Sequence, residues 1–173
     1  MAKKIITGNG GVVLEEDFKL VTWIGKTKGG QSCKITLKDA INKDNIDWTL
    51  ADKGEVVPAA TFEATYSNTD KQADETTECP WEIEIDGEVA AGADEILLGL
   101  GVFAIDGEDV ALCRGGGKLT IERVWRDINA DGDKGTVKGR TLIDEERAKL
   151  NMNVLTMLTK MKALYPAIKE TTA

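Results

Sequence analysis

The sequence contains no histidine. That removes the side chain most used as a general base near neutral pH and as a zinc ligand. An enzyme reading would have to rest on carboxylates, lysine or cysteine. Proline is scarce, at 3 of 173 residues, and the 3 cysteines, Cys33, Cys79 and Cys113, lie far apart. An odd number without C-x-x-C spacing argues against a disulfide framework or a structural zinc site, so buried, reduced thiols are the expectation. No window approaches the ~18 apolar residues of a membrane-spanning helix. The opening Met-Ala-Lys-Lys-Ile-Ile-Thr-Gly has no apolar run of signal-peptide length. Synthesis and retention, or assembly, in a reducing cytosol is expected. An excess of cations is also missing. At a net charge of −8 the chain does not bind nucleic acid by neutralising phosphates.

What is present points to a β protein. Apolar residues make up 42% and charged residues 30%, as in soluble globular chains. The length suits one domain able to bury a core without staples. The 18 glycines are scattered without a period, which implies many turns.

Along the chain, residues 1–14 fit a strand, a glycine turn and a second strand. Residues 18–25 fit another strand, and 28–31 a turn. Cys33, Ile35 and Leu37 then alternate on one face, with Ala40 and Ile41 extending into a short helical turn. Ile46, Trp48 and Leu50 alternate again. Residues 56–66 form a strand in which Pro58 marks an edge or a start. Residues 67–80 are polar throughout and form the longest loop, expected to be mobile. Trp81, Ile83 and Ile85 share one face of a short strand, and 86–94 is a connector. Residues 96–105 are nearly all apolar. Two glycines there would cost a helix about 2 kcal/mol, so a buried strand with glycine bends is expected. After a turn at 106–109 comes a long charged hairpin around residues 118–142. The end of the chain is ambiguous between periods. A strand to about Leu155 followed by an amphipathic helix to Leu164, stopped by Pro166, fits best. A faint echo links residues 4–10 with 95–101. It fits two related half-sheets, and equally two turns of similar composition.

Three signatures of chemistry fail on spacing. Asp127-Ile-Asn129-Ala-Asp131-Gly132 matches the first half of a calcium loop, but the twelfth position, which must be a bidentate carboxylate, is Lys138. A hairpin tip explains the same Asn, Asp and Gly residues. Gly25-Lys26-Thr27 lacks the leading phosphate-loop glycine, since Leu20 stands there, and Gly115-Gly116-Gly117-Lys118 is followed by a leucine. The paired carboxylates Glu82 and Glu84, and the run Asp144, Glu145 and Glu146, read as solvated faces or element entries. No catalytic, cofactor or metal-ligating residue is assigned. The tryptophans at 23, 48, 81 and 125 read as core or interface anchors. Trp125, alone on a charged strand, has the composition of a subunit contact.

The order Gly-Val-Phe-Ala-Ile-Asp-Gly-Glu-Asp at 101–109, Leu-Cys-Arg-Gly-Gly-Gly-Lys-Leu-Thr-Ile-Glu-Arg at 112–123 and Ile-Asn-Ala-Asp-Gly-Asp-Lys-Gly-Thr-Val-Lys-Gly-Arg at 128–140 resembles tail tube (major tail) proteins of long-tailed bacteriophages. So do the continuation Ala148-Lys-Leu-Asn-Met-Asn-Val-Leu and the earlier runs at 34–42, 45–58 and 62–67, ending Pro80-Trp81-Glu. The resemblance covers most of the chain. The two halves, 1–85 and 95–166, stand in reversed order relative to the family pattern, with 86–94 joining the old ends. A sandwich with close termini tolerates such a permutation.

The resemblance implies a single mainly β domain, a β-sandwich or barrel with one flanking α-helix and a long β-hairpin. It implies a non-enzymatic subunit that forms homohexameric rings stacked into a tube. The tube would belong to a virion tail assembled in the host cytoplasm with other phage tail proteins. DNA would pass through an acidic lumen without specific binding, and no membrane is involved. The hairpin would grip a neighbouring subunit through Arg123, Trp125, Arg126, Asp131, Lys134, Lys138 and Arg140. The rival expectation is a monomeric β-sandwich binding module with a cation at the 127–133 loop.

Overall fold

The computed structural model describes residues 3–50, 52–67, 78–88, 92–110, 112–155 and 158–172. In chain order the elements are β1 (Lys4–Gly8), β2 (Lys19–Thr27), β3 (Ser32–Asn42), β4 (Ala59–Glu63), β5 (Trp81–Ile85), β6 (Leu97–Ile105), β7 (Glu108–Asp109), β8 (Cys113–Asp127), β9 (Thr141–Val154), the single helical turn α1 (Met161–Leu164) and β10 (Ile168–Thr172). The chain is mainly β and antiparallel, and its sheets face one another as a sandwich that stops short of a closed barrel. One continuous sheet runs β7-β6-β2-β3-β4-β9-β8, with β5 also on β3, while β1 and β10 form a separate ribbon.

β3 makes the corner between the two layers. Its first half pairs with β2 and β5, while Ile41 and Asn42 pair with β4. Between these halves the register slips, from Val21↔Leu37 to Lys19↔Ala40. The extra residue is absorbed with Asp39 at φ 45°, a left-handed conformation that Asp tolerates better than most. The helical turn expected at Ala40 and Ile41 is therefore a bulge inside one long strand.

The core lies between the layers. Val21, Leu37, Phe103 and Ile105 face Ala60, Phe62, Leu150, Met152 and Val154, all buried in one cluster. Each large side chain so buried contributes roughly 1.5–3 kcal/mol. Two close approaches set the spacing. The Trp23 indole lies over the opposed pair Gly25 and Gly101, where an added Cβ would come within 2.1 and 2.4 Å of the ring. The Phe103 ring lies over Gly117, where a Cβ would meet it at 2.4 Å. The glycine run at 115–117 thus lets one layer touch the other.

Several expectations are corrected. Residues 9–14 form no second strand. β1 pairs with β10 at the opposite end of the sequence, Lys4↔Thr172 through Gly8↔Ile168, and β10 itself was not foreseen. Ile46 and Leu50 are exposed in an irregular segment, and only Trp48 packs towards the core. The strand of residues 56–66 shortens to β4, which starts just after Pro58. The terminal helix is one turn, held by the buried Asn42 Nδ2 donating to the Leu164 carbonyl at 2.7 Å; Leu158 before it is exposed, and Met157 lies outside the described residues. Most of the 67–80 loop, residues 68–77, also lies outside them. Cys33 is buried as expected, whereas Cys79 is half-buried and Cys113 exposed. The echo between 4–10 and 95–101 joins unlike positions, since β1 lies in the terminal ribbon and β6 beside β2.

The largest correction concerns β6. It is a strand, but only Phe103, Ala104 and Ile105 are buried. On its outer side β7 pairs with Ala104 and Ile105 alone, across a two-residue Asp106-Gly107 turn with both residues at positive φ. The stretch from Leu97 to Val102 is left as a bare apolar edge, with Leu100 86% exposed.

Candidate functional site

β8 and β9 pair from Cys113↔Val154 to Asp127↔Thr141. The flanking strand β4 covers β9 only from Asn153 to Lys149. Beyond that, residues 122–127 and 141–147 have no neighbour strand among the described residues. Six residues at ~3.4 Å each carry the arm about 20 Å past the body, before its tip. The arm was expected from sequence, and it is the element that gathers the candidate residues.

Alternation places Leu119, Ile121 and Arg123 on the body-facing side of β8, opposite Leu150, Ala148 and Glu146, and beyond a bulge that leaves Asp144 unpaired in the ladder Trp125 stands opposite Ile143. At the root, Arg123 ion-pairs with Glu146, whose side chain is only 8% exposed. Trp81 of β5 donates its indole N–H to the same carboxylate at 2.7 Å. Burial pushes the Glu146 carboxyl up, but donors from Cys79, Arg123 and Trp81 outweigh it and hold the group below the usual carboxylate range. Cys79 is raised by burial and by donating to Glu146, and Tyr66, hydrogen-bonded to Cys79 at 3.7 Å, is pushed up to about 12, chiefly by burial. Tyr66, Cys79 and Trp81 thus lash the arm's root to the other layer. The sequence had singled out Trp81, Arg123, Cys79 and the run 144–146 one by one, but nothing in it joined them into one hub. The available signal was parity: in a strand ending at Val154, Glu146 falls on the same face as Ala148, Leu150 and Met152.

Further out, Arg126 binds Asp144 at 2.9 Å. At the tip Arg140 binds Asp133 at 2.8 Å. Asp133 also accepts from the Ala130 N–H, and Asp127 accepts from the Thr136 and Thr141 hydroxyls at 3.0 and 2.7 Å. The would-be calcium carboxylates therefore close the tip on itself, with Gly132 at φ +92° making the turn. No group of three or more metal-ligating side chains occurs among the described residues. Arg123, Arg126 and Arg140 satisfy themselves within the arm. Lys134, Lys138 and Asp131 are exposed and form no ion pair among the described residues. Trp125 is 58% exposed, and Ile143 opposite it, with Val124, Leu142 and Ile128, is also exposed.

A second surface was missed. Towards the two ends of the sheet, β6 (bordered only by the two-residue β7) and β8 approach where Phe103 meets Gly117, but no backbone ladder joins them among the described residues. Above that contact the sandwich stays open as a cleft of about 240 Å³, floored by Trp23, Phe103 and Leu150 and walled by Leu97, Leu98 and Leu119. The apolar run 96–105 was expected to be a buried strand. Of its two interior glycines, Gly101 makes room for the Trp23 ring, whereas Gly99 stands in open space.

Comparison with protein-family models, with curated proteins and with solved structures returned no match.

Proposed function

We propose that this chain is a non-enzymatic structural subunit of a bacteriophage tail tube, assembling with copies of itself into stacked six-subunit rings. The observation that carries the self-assembly is the arm: a two-stranded projection that exposes Trp125, Ile143, Val124 and Leu142 where no neighbour strand among the described residues covers it. By alternation Trp125 and Ile143 share one face of the arm and Val124 and Leu142 fall on the other, so large apolar side chains stand exposed on both faces, and an exposed tryptophan set among charges is the composition of an interface anchor. The bare edge of β6 adds a second unsatisfied surface on the same molecule. The tail-tube assignment rests on the resemblance of residues 101–140 and of the earlier runs, together with the β-sandwich architecture. A chain of net charge −8 suits a lumen through which DNA slides, because carboxylates repel phosphates. In this reading the subunit works in the virion tail, alongside other tail proteins and without a membrane.

Sedimentation at rising protein concentration, with electron microscopy of the concentrated sample, tests the proposal. The expected result is growth in mass ending in rings or tubes. A protein that stays monomeric at the highest soluble concentration overturns it.

A further inference from the structure

Resting on the self-assembly reading, we propose that the contact is head-to-tail: the arm of one copy docks into the open seam of the next, with Trp125 entering the cleft between β6 and β8. Four observations on the two surfaces support this. The first is reach. Leu119 lines the cleft and Trp125 stands six residues further along the same strand, roughly 20 Å away. The arm's paired ladder keeps it from folding back, so the chain's own cleft is out of range.

The second is size. An apolar cavity of ~150 Å³ holds a benzene ring, and the cleft offers about 240 Å³ with a floor of Trp23, Phe103 and Leu150. An indole fits, and a bare aromatic floor favours it. The third is the ladder. The outer edge of β6 from Leu97 to Val102 has no partner strand among the described residues, and an approaching strand pair can satisfy those backbone groups while its apolar side chains cover Leu97, Leu98 and Leu100.

The fourth is charge. Lys134 and Lys138 at the tip are exposed and make no ion pair among the described residues. Asp94 and Glu95, at the start of β6, are likewise exposed and without an ion pair among them. Glu95 lies three residues, at most about 10 Å, from Leu98, and the tip begins two residues, about 7 Å, past Trp125. An arm seated with Trp125 in the cleft therefore carries its free lysines towards the free carboxylates. Because donor and acceptor are different surfaces of one chain, the contact is heterologous and propagates into a ring or a filament.

Two double variants of the full chain test the pairing. Trp125→Glu with Ile143→Glu disables the arm, and Leu98→Glu with Leu100→Glu disables the seam. All four residues are more than 40% exposed, so both variants fold, as far-UV circular dichroism would verify. Each is expected to be monomeric by sedimentation where the wild type assembles. Mixed one to one, they should form a dimer and nothing larger, since the mixture holds one working arm and one working seam per pair. Reversing the tip with Lys134→Glu and Lys138→Glu should weaken assembly at least tenfold in the concentration required, and adding Asp94→Lys and Glu95→Lys should restore it. A seam variant that assembles like the wild type, which would mean arm-to-arm contact, overturns the proposal, and so does a mixture that stays monomeric. Both results leave wild-type self-assembly standing, whereas a monomeric wild type removes that reading itself.

Discussion

Replacing Gly25 by alanine should destabilise the protein through one side chain, Trp23. A Cβ at Gly25 would lie 2.1 Å from the indole Cη2 and 2.6 Å from Cζ2, against an ordinary carbon contact of 3.5–4.0 Å. The ring cannot settle closer to the sheet, because Gly101 opposite is equally full, with a Cβ there 2.4 Å from Cε2. Trp23 must therefore turn away. Overpacking of this kind costs about 1–3 kcal/mol. The upper bound is the whole burial of the ring, 150–250 Å² at ~25 cal/mol per Å², or about 4–6 kcal/mol. Alanine in a strand recovers roughly 0.5–1 kcal/mol over glycine. The net expectation is a loss of about 2 kcal/mol, read as a lower urea midpoint with an unchanged slope and as a melting temperature lower by about 4–8 °C. In a Trp23→Leu background the shorter side chain leaves room, and the same Gly25→Ala change should be neutral or stabilising. A double-mutant cycle then gives a coupling of about 2 kcal/mol. If Gly25→Ala costs as much without the indole as with it, the glycine is needed for its backbone and the reasoning fails. The cycle also bears on the seam, because Trp23 is its floor.

Other perturbations follow from the same geometry. Glu146→Gln keeps an acceptor for Trp81 but removes the charge facing Arg123, and should cost about 1–2 kcal/mol at neutral pH, discounted because Arg123 is half exposed. The folded carboxyl sits below its usual range, so its stabilisation is complete above an unfolded value of about 4.3 and is lost as pH falls through the lower folded value. The gap between wild type and Glu146→Gln should close over that acid window in urea titrations, and a gap independent of pH would refute the charge account. Asn42→Ala leaves the buried Leu164 carbonyl without its 2.7 Å donor and should cost about 1–3 kcal/mol by chemical denaturation, with Asn42→Asp no better, since it supplies no donor. Asp39→Gly should be neutral to mildly stabilising and Asp39→Val clearly destabilising, by about 1–2 kcal/mol, because the φ of 45° suits only the former. The Thr65 hydroxyl binds the Asp39 carbonyl rather than its side chain, so no hydrogen bond confounds that pair in a thermal melt.

Where the sequence was legible, a local rule and the tertiary context agreed. Trp81, Ile83 and Ile85 alternate beside Cys33, Ile35 and Leu37, and the two strands pair in that register. The hairpin of β8 and β9 announced itself through its turn residues. Reading failed where a partner distant in sequence decided the outcome. Ile46, Trp48 and Leu50 alternate as well as any strand, yet no neighbour strand takes them up. β1 found its partner some 160 residues away, in a stretch too polar to read as a strand. Asp39 shows a third kind of failure: a bulge spends one residue to turn a corner, and the periodicity either side of it reads as two elements.

The arm and the seam show why site residues were only half visible. The resemblance put seven residues of the arm at a neighbour contact, and three of them, Arg123, Arg126 and Arg140, turn out to be occupied within it by Glu146, Asp144 and Asp133. An ion pair already formed and partly exposed contributes little, and it offers a neighbour little in addition. What remains without an ion pair among the described residues is narrower: one indole with its facing isoleucine, and Asp131, Lys134 and Lys138 at the tip. The acceptor could not be read from residue type, because an apolar run is the signature of a core and nothing local distinguishes a covered strand from a bare one. The distinction lies in strand order. With β6, bordered only by the two-residue β7, near one end of the sheet path and β8 at the other, the same leucines that would line a closed barrel stand at an open seam, where the proposed contact between copies would bury them.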